Sequence, residues 1–197
     1  SGKMGYALAK AAYQRGAQVV LISAGERPAF LPNSVKCIQV QTTSQMLEAC
    51  IQYLPSVTGV VMAAAPADFR AQHISEQKIK KGSSKTMTLH LEETPDILRS
   101  LADHKLPRQL MIGFAAETSN LIEHARLKLQ TKDLSMIVAN DVSQTGIGFA
   151  VDTNQVTILR ADGIVEQTIR TSKDAIAHIV LDHLYDMRRC RNEISKS

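Results

Sequence analysis

Between residues 18 and 139, short apolar runs alternate with stretches of helical periodicity, and few folds accommodate that alternation. A strand, a helix and a second strand in succession return to one sheet as parallel neighbours, with the helix packed on a face. Apolar runs at 18–22, 36–40, 58–64, 86–91, 109–114 and 134–139 predict the strands. The intervening patterns predict helices over 43–54, 95–103 and 119–132, and Thr42 and Gln45 suit a capping box at the first of them. An earlier helix spans 4–15, with Met4, Leu8 and Ala11 on one face and Gly16 placed to end it. The fold class expected is α/β: a doubly wound, mostly parallel Rossmann-like sheet with helices on both faces.

The last quarter changes character. Segments 155–160 and 165–170 alternate around Asp162-Gly163, a strong hairpin turn signal, so an antiparallel hairpin appendage is expected over about 153–171. A terminal helix follows over 172–189, with Ile176, Ile179, Val180, Leu184 and Met187 on its core stripe. At 197 residues, one domain over 1–197 is the default. A doubly wound domain normally opens with a strand whose loop feeds the first helix, whereas this sequence starts at the helix. The first strand is therefore expected to be missing from the stretch, an N-terminal truncation.

Composition narrows the partners. The net charge of +4, from 23 basic and 19 acidic residues, suits a polyphosphate and falls short of a nucleic-acid footprint. With no tryptophan, four tyrosines and four phenylalanines, little is available for base stacking, so no nucleic acid is expected. No apolar run approaches the roughly 20 residues that span a bilayer, and nothing at the start resembles a signal peptide, so no membrane is expected. Cys37, Cys50 and Cys190 form neither a disulfide framework nor a Cys-x-x-Cys pair, which suits a reducing cytoplasm.

Four places carry candidate chemistry. Gly2-Lys3-Met4 fails the phosphate-loop pattern, since Met4 stands at the hydroxyl position. A glycine-rich turn at a helix N-terminus still offers N–H groups to an anion, so Ser1, Gly2 and Gly5 read equally as phosphate contacts or as helix initiation. Ala63-Ala64-Ala65-Pro66-Ala67-Asp68-Phe69-Arg70 follows a buried strand, where open α/β sheets bind ligands. Asp68 there suits a ribose, a base amine or a metal-bound phosphate, or a loop cap paired with Arg70. Lys78, Lys80, Lys81 and Lys85 form either a solvated charge run or a mobile triphosphate clamp. Lys128 and Lys132, four apart, share a helix face with His124 nearby, and read as a ligand rim or as lysines covering the sheet edge. His178 and His183 miss the i,i+4 metal spacing, and no nucleophile elbow occurs.

In order along the chain stand Ser-Gly-Lys-Met-Gly at 1–5, Ala-Ala-Pro-Ala-Asp-Phe-Arg at 64–70, Lys-Ile-Lys-Lys at 78–81, Thr-Pro-Asp-Ile at 94–97, Gly-Phe-Ala-Ala-Glu-Thr at 113–118 and Ala-Asn-Asp-Val at 139–142. This succession resembles the phosphopantothenoylcysteine synthetase family, the synthetase domain of bacterial bifunctional coenzyme A biosynthesis proteins. The resemblance implies a ligase that activates 4′-phosphopantothenate with CTP as an acyl-cytidylate, releasing pyrophosphate, after which the amine of L-cysteine displaces CMP. It implies nucleotide contacts at Met62, Ala63, Ala64, Asp68, Lys78, Pro95, Asp96, Ile97, Leu98, Phe114, Lys128 and Lys132, and a phosphate-loop remnant at Ser1 and Gly2. Lys78 would be the catalytic residue that stabilises phosphate charge, with Mg2+ on the triphosphate and Asp68 as a metal contact.

FMN is implied only where the parent protein carries an upstream flavin-dependent decarboxylase. A homodimer is also implied, because the family's lysine loop reaches a partner subunit, and the Asp162-Gly163 hairpin offers strands across a two-fold axis. The family's first strand, its Gly-rich loop and an asparagine acting on the acyl intermediate all precede Ser1, and Pro66 replaces a small aliphatic residue. Two rival readings are a nucleotide-binding module without catalysis and an NAD-dependent oxidoreductase. The absence of Gly-x-Gly-x-x-Gly and of its downstream acidic residue opposes the second.

Overall fold

The computed structural model describes residues 2–80, 86–117, 120–141 and 152–194. Helix α1 (Lys3–Gln14) leads to strands β1 (Val20–Ser23) and β2 (Lys36–Gln39), then to α2 (Thr43–Tyr53) and β3 (Gly59–Met62). Next come β4 (Phe69–Ala71), β5 (Leu91–Glu93), α3 (Ile97–Ala102), β6 (Leu110–Glu117), α4 (Leu121–Thr131) and β7 (Met136–Asp141). The remaining elements are β8 (Thr153–Asn154), β9 (Thr157–Arg160), β10 (Val165–Gln167), β11 (Thr171–Ser172) and α5 (Lys173–Ile194).

A five-stranded sheet of order β10-β9-β7-β6-β3 forms the centre. β3, β6 and β7 run parallel, as the strand–helix–strand alternation requires. Along β6 and β7 successive residues supply opposite faces. Met111 and Ile137 join a core with Met46 and Ala49 of α2, Leu101 of α3 and Ala125 of α4. Leu110, Ile112, Met136 and Val138 join a second core with Leu8 and Ala11 of α1 and Ile176 and Val180 of α5. The sheet therefore separates α2, α3 and α4 from α1 and α5. Side chains such as Met111, Ile112, Met136 and Val138 are wholly buried, each such burial being worth about 1.5–3 kcal/mol.

The capping box forms as expected: Gln45 N donates to Thr42 Oγ1 at 3.1 Å, and Thr42 N donates to Gln45 Oε1 at 3.2 Å. Two expectations need correction. The hairpin is no appendage beside the sheet, because β9 pairs antiparallel with β7, setting Ile137 opposite Leu159 and Val138 opposite Ile158. Every residue of β9 is buried and every residue of β10 exposed, so β9 continues the sheet and β10 closes its edge. The strand expected at 86–91 likewise does not enter the sheet. Only β5 forms, from Leu91, and it pairs with β4 as an antiparallel ribbon, leaving Met87, Leu89 and Leu91 58–63% exposed. Alternating Thr-Met-Thr-Leu-His-Leu matches a half-buried strand, but no described sheet face covers it.

β1 and β2 form a separate parallel pair, and no ladder joins it to β3 among the described residues. No helix among these residues is long and apolar enough to cross a membrane.

Candidate functional site

The carboxyl ends of β3, β6 and β7 meet the start of α1 around a small cleft of about 80 Å³. Gly2 caps α1 with φ 67°, a left-handed conformation that costs little without a Cβ, and its carbonyl accepts the Tyr6 N–H at 2.9 Å. Among the described residues no side chain caps this helix, and its first turn carries no acid. Its leading N–H groups therefore remain available to an anion. Ala63, Ala64 and Ala65 after β3, and Phe114, Ala115 and Ala116 on β6, line the other walls. These small side chains allow a flat ring to approach the backbone. A larger hollow of about 620 Å³ lies along β2 and α2, between Ile38 and Gln52. It is shallower and away from the strand ends, where parallel sheets bind ligands, so the smaller cleft is the better candidate.

Of the residues expected to touch a nucleotide, Gly2, Ala63, Ala64 and Phe114 line this cleft. Met62 is buried in the core beneath it, and Ser1 lies outside the described residues. Asp68 is exposed on a loop fastened to the start of α3: Thr94 Oγ1 donates to Ala67 O at 2.5 Å and Thr94 N to Asp68 O at 2.9 Å. The Asp68 carboxylate has no bonding partner among the described residues, and Arg70 pairs with Glu92 at 2.7 Å. Pro95 is half-buried and leads into Asp96, which caps α3 by accepting the Arg99 N–H at 3.2 Å and pairs with Lys132 Nζ at 2.8 Å. Ile97 and Leu98 belong to the core, so only their main chain can face a ligand. Lys78 is exposed and does not line the cleft; Lys81 and Lys85 lie outside the described residues.

Lys128 is held by Glu117 at the end of β6, a residue not expected at the site. Its Nζ donates to Glu117 Oε1 at 2.6 Å, while His124 Nδ1 lies 3.2 Å from the other oxygen. Burial acts to raise the Glu117 carboxyl, but the hydrogen bond and charge of Lys128, then His124, outweigh it and hold the group below the usual carboxylate range. The same balance lowers Asp96, where burial is outweighed by Lys132 and the Arg99 N–H. Both lysines therefore stand fixed at the α3–α4 side of the strand ends.

The opposite side carries Lys3, Asn140, Asn154 and Lys173, none of them expected as a site residue. Asn140, next to the last residue of β7, stands inside the Ala-Asn-Asp-Val motif, a usable signal; Lys173, in contrast, has no local signal at all. Among the described residues no group of three His, Cys, Asp or Glu side chains is arranged to hold a metal.

Comparison with known proteins identifies the family and the fold. The chain matches the DNA/pantothenate metabolism flavoprotein C-terminal domain family over residues 1–187. It is similar to the coenzyme A biosynthesis bifunctional protein CoaBC of Bacillus subtilis, 40% identical over 195 residues, covering 99% of this chain and 48% of that protein. The crystal structure of the C-terminal domain of a CoaBC protein is alike with a TM-score of 0.78 and 38% identity, over 95% of this chain and 83% of that one. A Cab2 mutant in complex with phosphopantothenate-cysteine shares the fold, with a TM-score of 0.73 and 14% identity over 100% of this chain and 80% of that one. The chain spans about half the length of the curated relatives it matches.

Proposed function

The chain belongs to the DNA/pantothenate metabolism flavoprotein C-terminal domain family, and from that premise we propose that it is a phosphopantothenate–cysteine ligase of coenzyme A biosynthesis. A carboxylate oxygen of 4′-phosphopantothenate attacks the α-phosphorus of CTP and expels pyrophosphate, leaving an acyl-cytidylate. The amine of L-cysteine then attacks the acyl carbon, CMP departs with the bonding pair, and the nitrogen loses a proton to give the amide. The observation that carries this reading is the convergence on one cleft of the β3 end, Phe114 and the open N-terminus of α1.

Each part has a task in that chemistry. Ala63 and Ala64 admit the nucleotide close to main-chain groups, and Phe114 offers an apolar wall. Asp96, through its main chain and its bond to Lys132, and Glu117, through Lys128, hold two cations on the nucleotide's side of the strand ends. Lys78 supplies charge to the phosphates as they separate, where a positioned cation is worth most. Asp68 fits Mg2+ arriving with the triphosphate, because its carboxylate is exposed and uncommitted, and Mg2+ takes one or two carboxylates beside phosphate oxygens. The ion would neutralise the leaving pyrophosphate. FMN has a place only in a separate decarboxylase domain of a longer parent.

The β4–β5 ribbon supports a homodimer. It exposes Phe69 and Leu91, 54% and 58% accessible, with Met87 and Leu89 beside them. Apolar exposure of this extent suits burial against a second copy, and Lys78 lies in the segment between the ribbon's two strands. A cytoplasmic location accords with the free cysteines among the described residues.

Thermal-shift ranking of CTP, ATP and NAD, followed by cysteine-dependent CMP release, tests the proposal. CTP should stabilise most, since a ligand that binds only the native state raises apparent stability. Stabilisation by NAD alone, with no CMP released, would overturn the ligase in favour of an oxidoreductase.

A further inference from the structure

Alternation along β6 sends its last residues to opposite faces of the sheet. Phe114 and Ala116 line the cleft, whereas Ala115 lies in the core with Ala125 and Leu129 of α4, and Glu117 follows it on that face. The Glu117 side chain is 12% exposed and does not line the cleft. It can serve a ligand there only through another residue.

Its carboxylate is divided between two residues of α4. Oε1 accepts from Lys128 Nζ at 2.6 Å, and Oε2 stands 3.2 Å from His124 Nδ1. Both of those side chains are half-exposed, so the anchor is buried while the groups it holds are open to solvent. His124, Lys128 and Lys132 stand four residues apart on one stripe of α4, where neighbouring cations repel. Asp96 at the start of α3 holds Lys132 at 2.8 Å, so two carboxylates from two elements offset that repulsion. The helix itself has need of a fastening. It opens at Asn120 with φ 47°, and among the described residues no side chain caps it. Glu117 ties its opening turns to β6 instead.

We propose that Glu117, braced by His124, is the positioning residue for Lys128: it fixes the ammonium group before the nucleotide arrives. The proposal rests on the ligase reading only in taking CTP as the ligand. A nucleotide that meets a preset lysine is spared the entropy of ordering one long side chain, which corresponds to about threefold to tenfold in affinity. Such a brace acts equally on bound nucleotide and transition state, so it belongs in KM for CTP and not in kcat.

A double-mutant cycle on CTP binding to the protein, read by calorimetry and by steady-state kinetics, tests the brace. Glu117→Gln should weaken CTP about threefold to tenfold and raise its KM to match, with kcat unchanged. Lys128→Met should weaken CTP about tenfold, the loss of roughly one charge-assisted hydrogen bond. Adding Glu117→Gln to Lys128→Met should then cost nothing further, because the brace has nothing left to hold. Glu117→Asp, which restores a carboxylate on a shorter arm, should recover part of the loss. Multiplied losses in the double variant would overturn the proposal, since Glu117 would then act apart from Lys128. A folded Glu117→Gln with unchanged affinity, or with kcat lowered and KM unchanged, would overturn it equally. Should Glu117→Gln not fold, His124→Leu decides: it should weaken CTP about twofold in the parent and not at all beside Lys128→Met. Unchanged affinity in both backgrounds would remove the brace. The expected cycle without acyl-cytidylate formation would sink the ligase and leave the positioning role standing.

Discussion

β6 and β7 have a hydrogen-bonded neighbour on each side and bury nearly all of their core-facing residues. β1, β2 and β3, at the other end of the domain, leave all but Met62 partly or fully accessible, although Val20-Leu21-Ile22 and Val60-Val61-Met62 are as apolar as anything in the centre. The difference lies in pairing. Among the described residues β1 bonds only to β2, and β3 only to β6. Strands of central composition here carry the burial of edge strands.

Core truncation should expose the contrast most strongly. Ile137→Ala in β7, where Ile137 is 1% exposed, should cost about 2–5 kcal/mol in urea unfolding. Ile22→Ala in half-buried β1 should cost about 1 kcal/mol, in proportion to the area it covers. Equal losses would mean that the two ends are equally consolidated.

Ion pairs should repeat the contrast more weakly. The Glu117 side chain is 12% exposed, whereas Arg70 and Glu92 on the ribbon are 54% and 38% exposed. Glu117→Gln should cost about 1–2 kcal/mol at neutral pH, and Glu92→Gln under about 0.5 kcal/mol. A carboxyl whose folded pKa is lowered contributes above its unfolded value and loses that contribution as pH falls through the folded value. The gap between parent and Glu117→Gln should therefore narrow as pH drops below about 4, near the unperturbed glutamate value. A gap independent of pH would show that Glu117 acts by packing rather than by charge.

Lys78→Gln should change stability least, by under about 0.5 kcal/mol, since the side chain is exposed and makes no described contact. Acyl-cytidylate formation should nevertheless fall by about 10²–10³, the usual cost of removing a group that stabilises transition-state charge. Parallel losses of melting temperature and turnover would make Lys78 structural.

The legible parts of this molecule were local ones. The Thr42–Gln45 box, the parallel alternation and the strand-end positions of Ala63, Ala64 and Phe114 follow from spacing within a few residues. Segment 86–91 was misjudged because alternation records a capacity for half-burial without saying whether a sheet face is present. The hairpin's place beside β7 and the meeting of Lys3 with Asp152 join residues distant in sequence, 149 apart in the second case, and no local rule anticipates them. Glu117 stood inside a quoted motif, but its role appears only once α4 folds back over β6.

A single-turnover experiment tests the central claim most directly: that this cleft forms and resolves an acyl-cytidylate. Radiolabelled CTP and 4′-phosphopantothenate would be mixed with the protein, cysteine withheld, and the reaction quenched. A labelled acyl-cytidylate and pyrophosphate should form in equal amounts, with the intermediate chased completely to CMP when cysteine is added. Pyrophosphate release without a cysteine-chaseable intermediate, or no labelled intermediate at all, would contradict the claim.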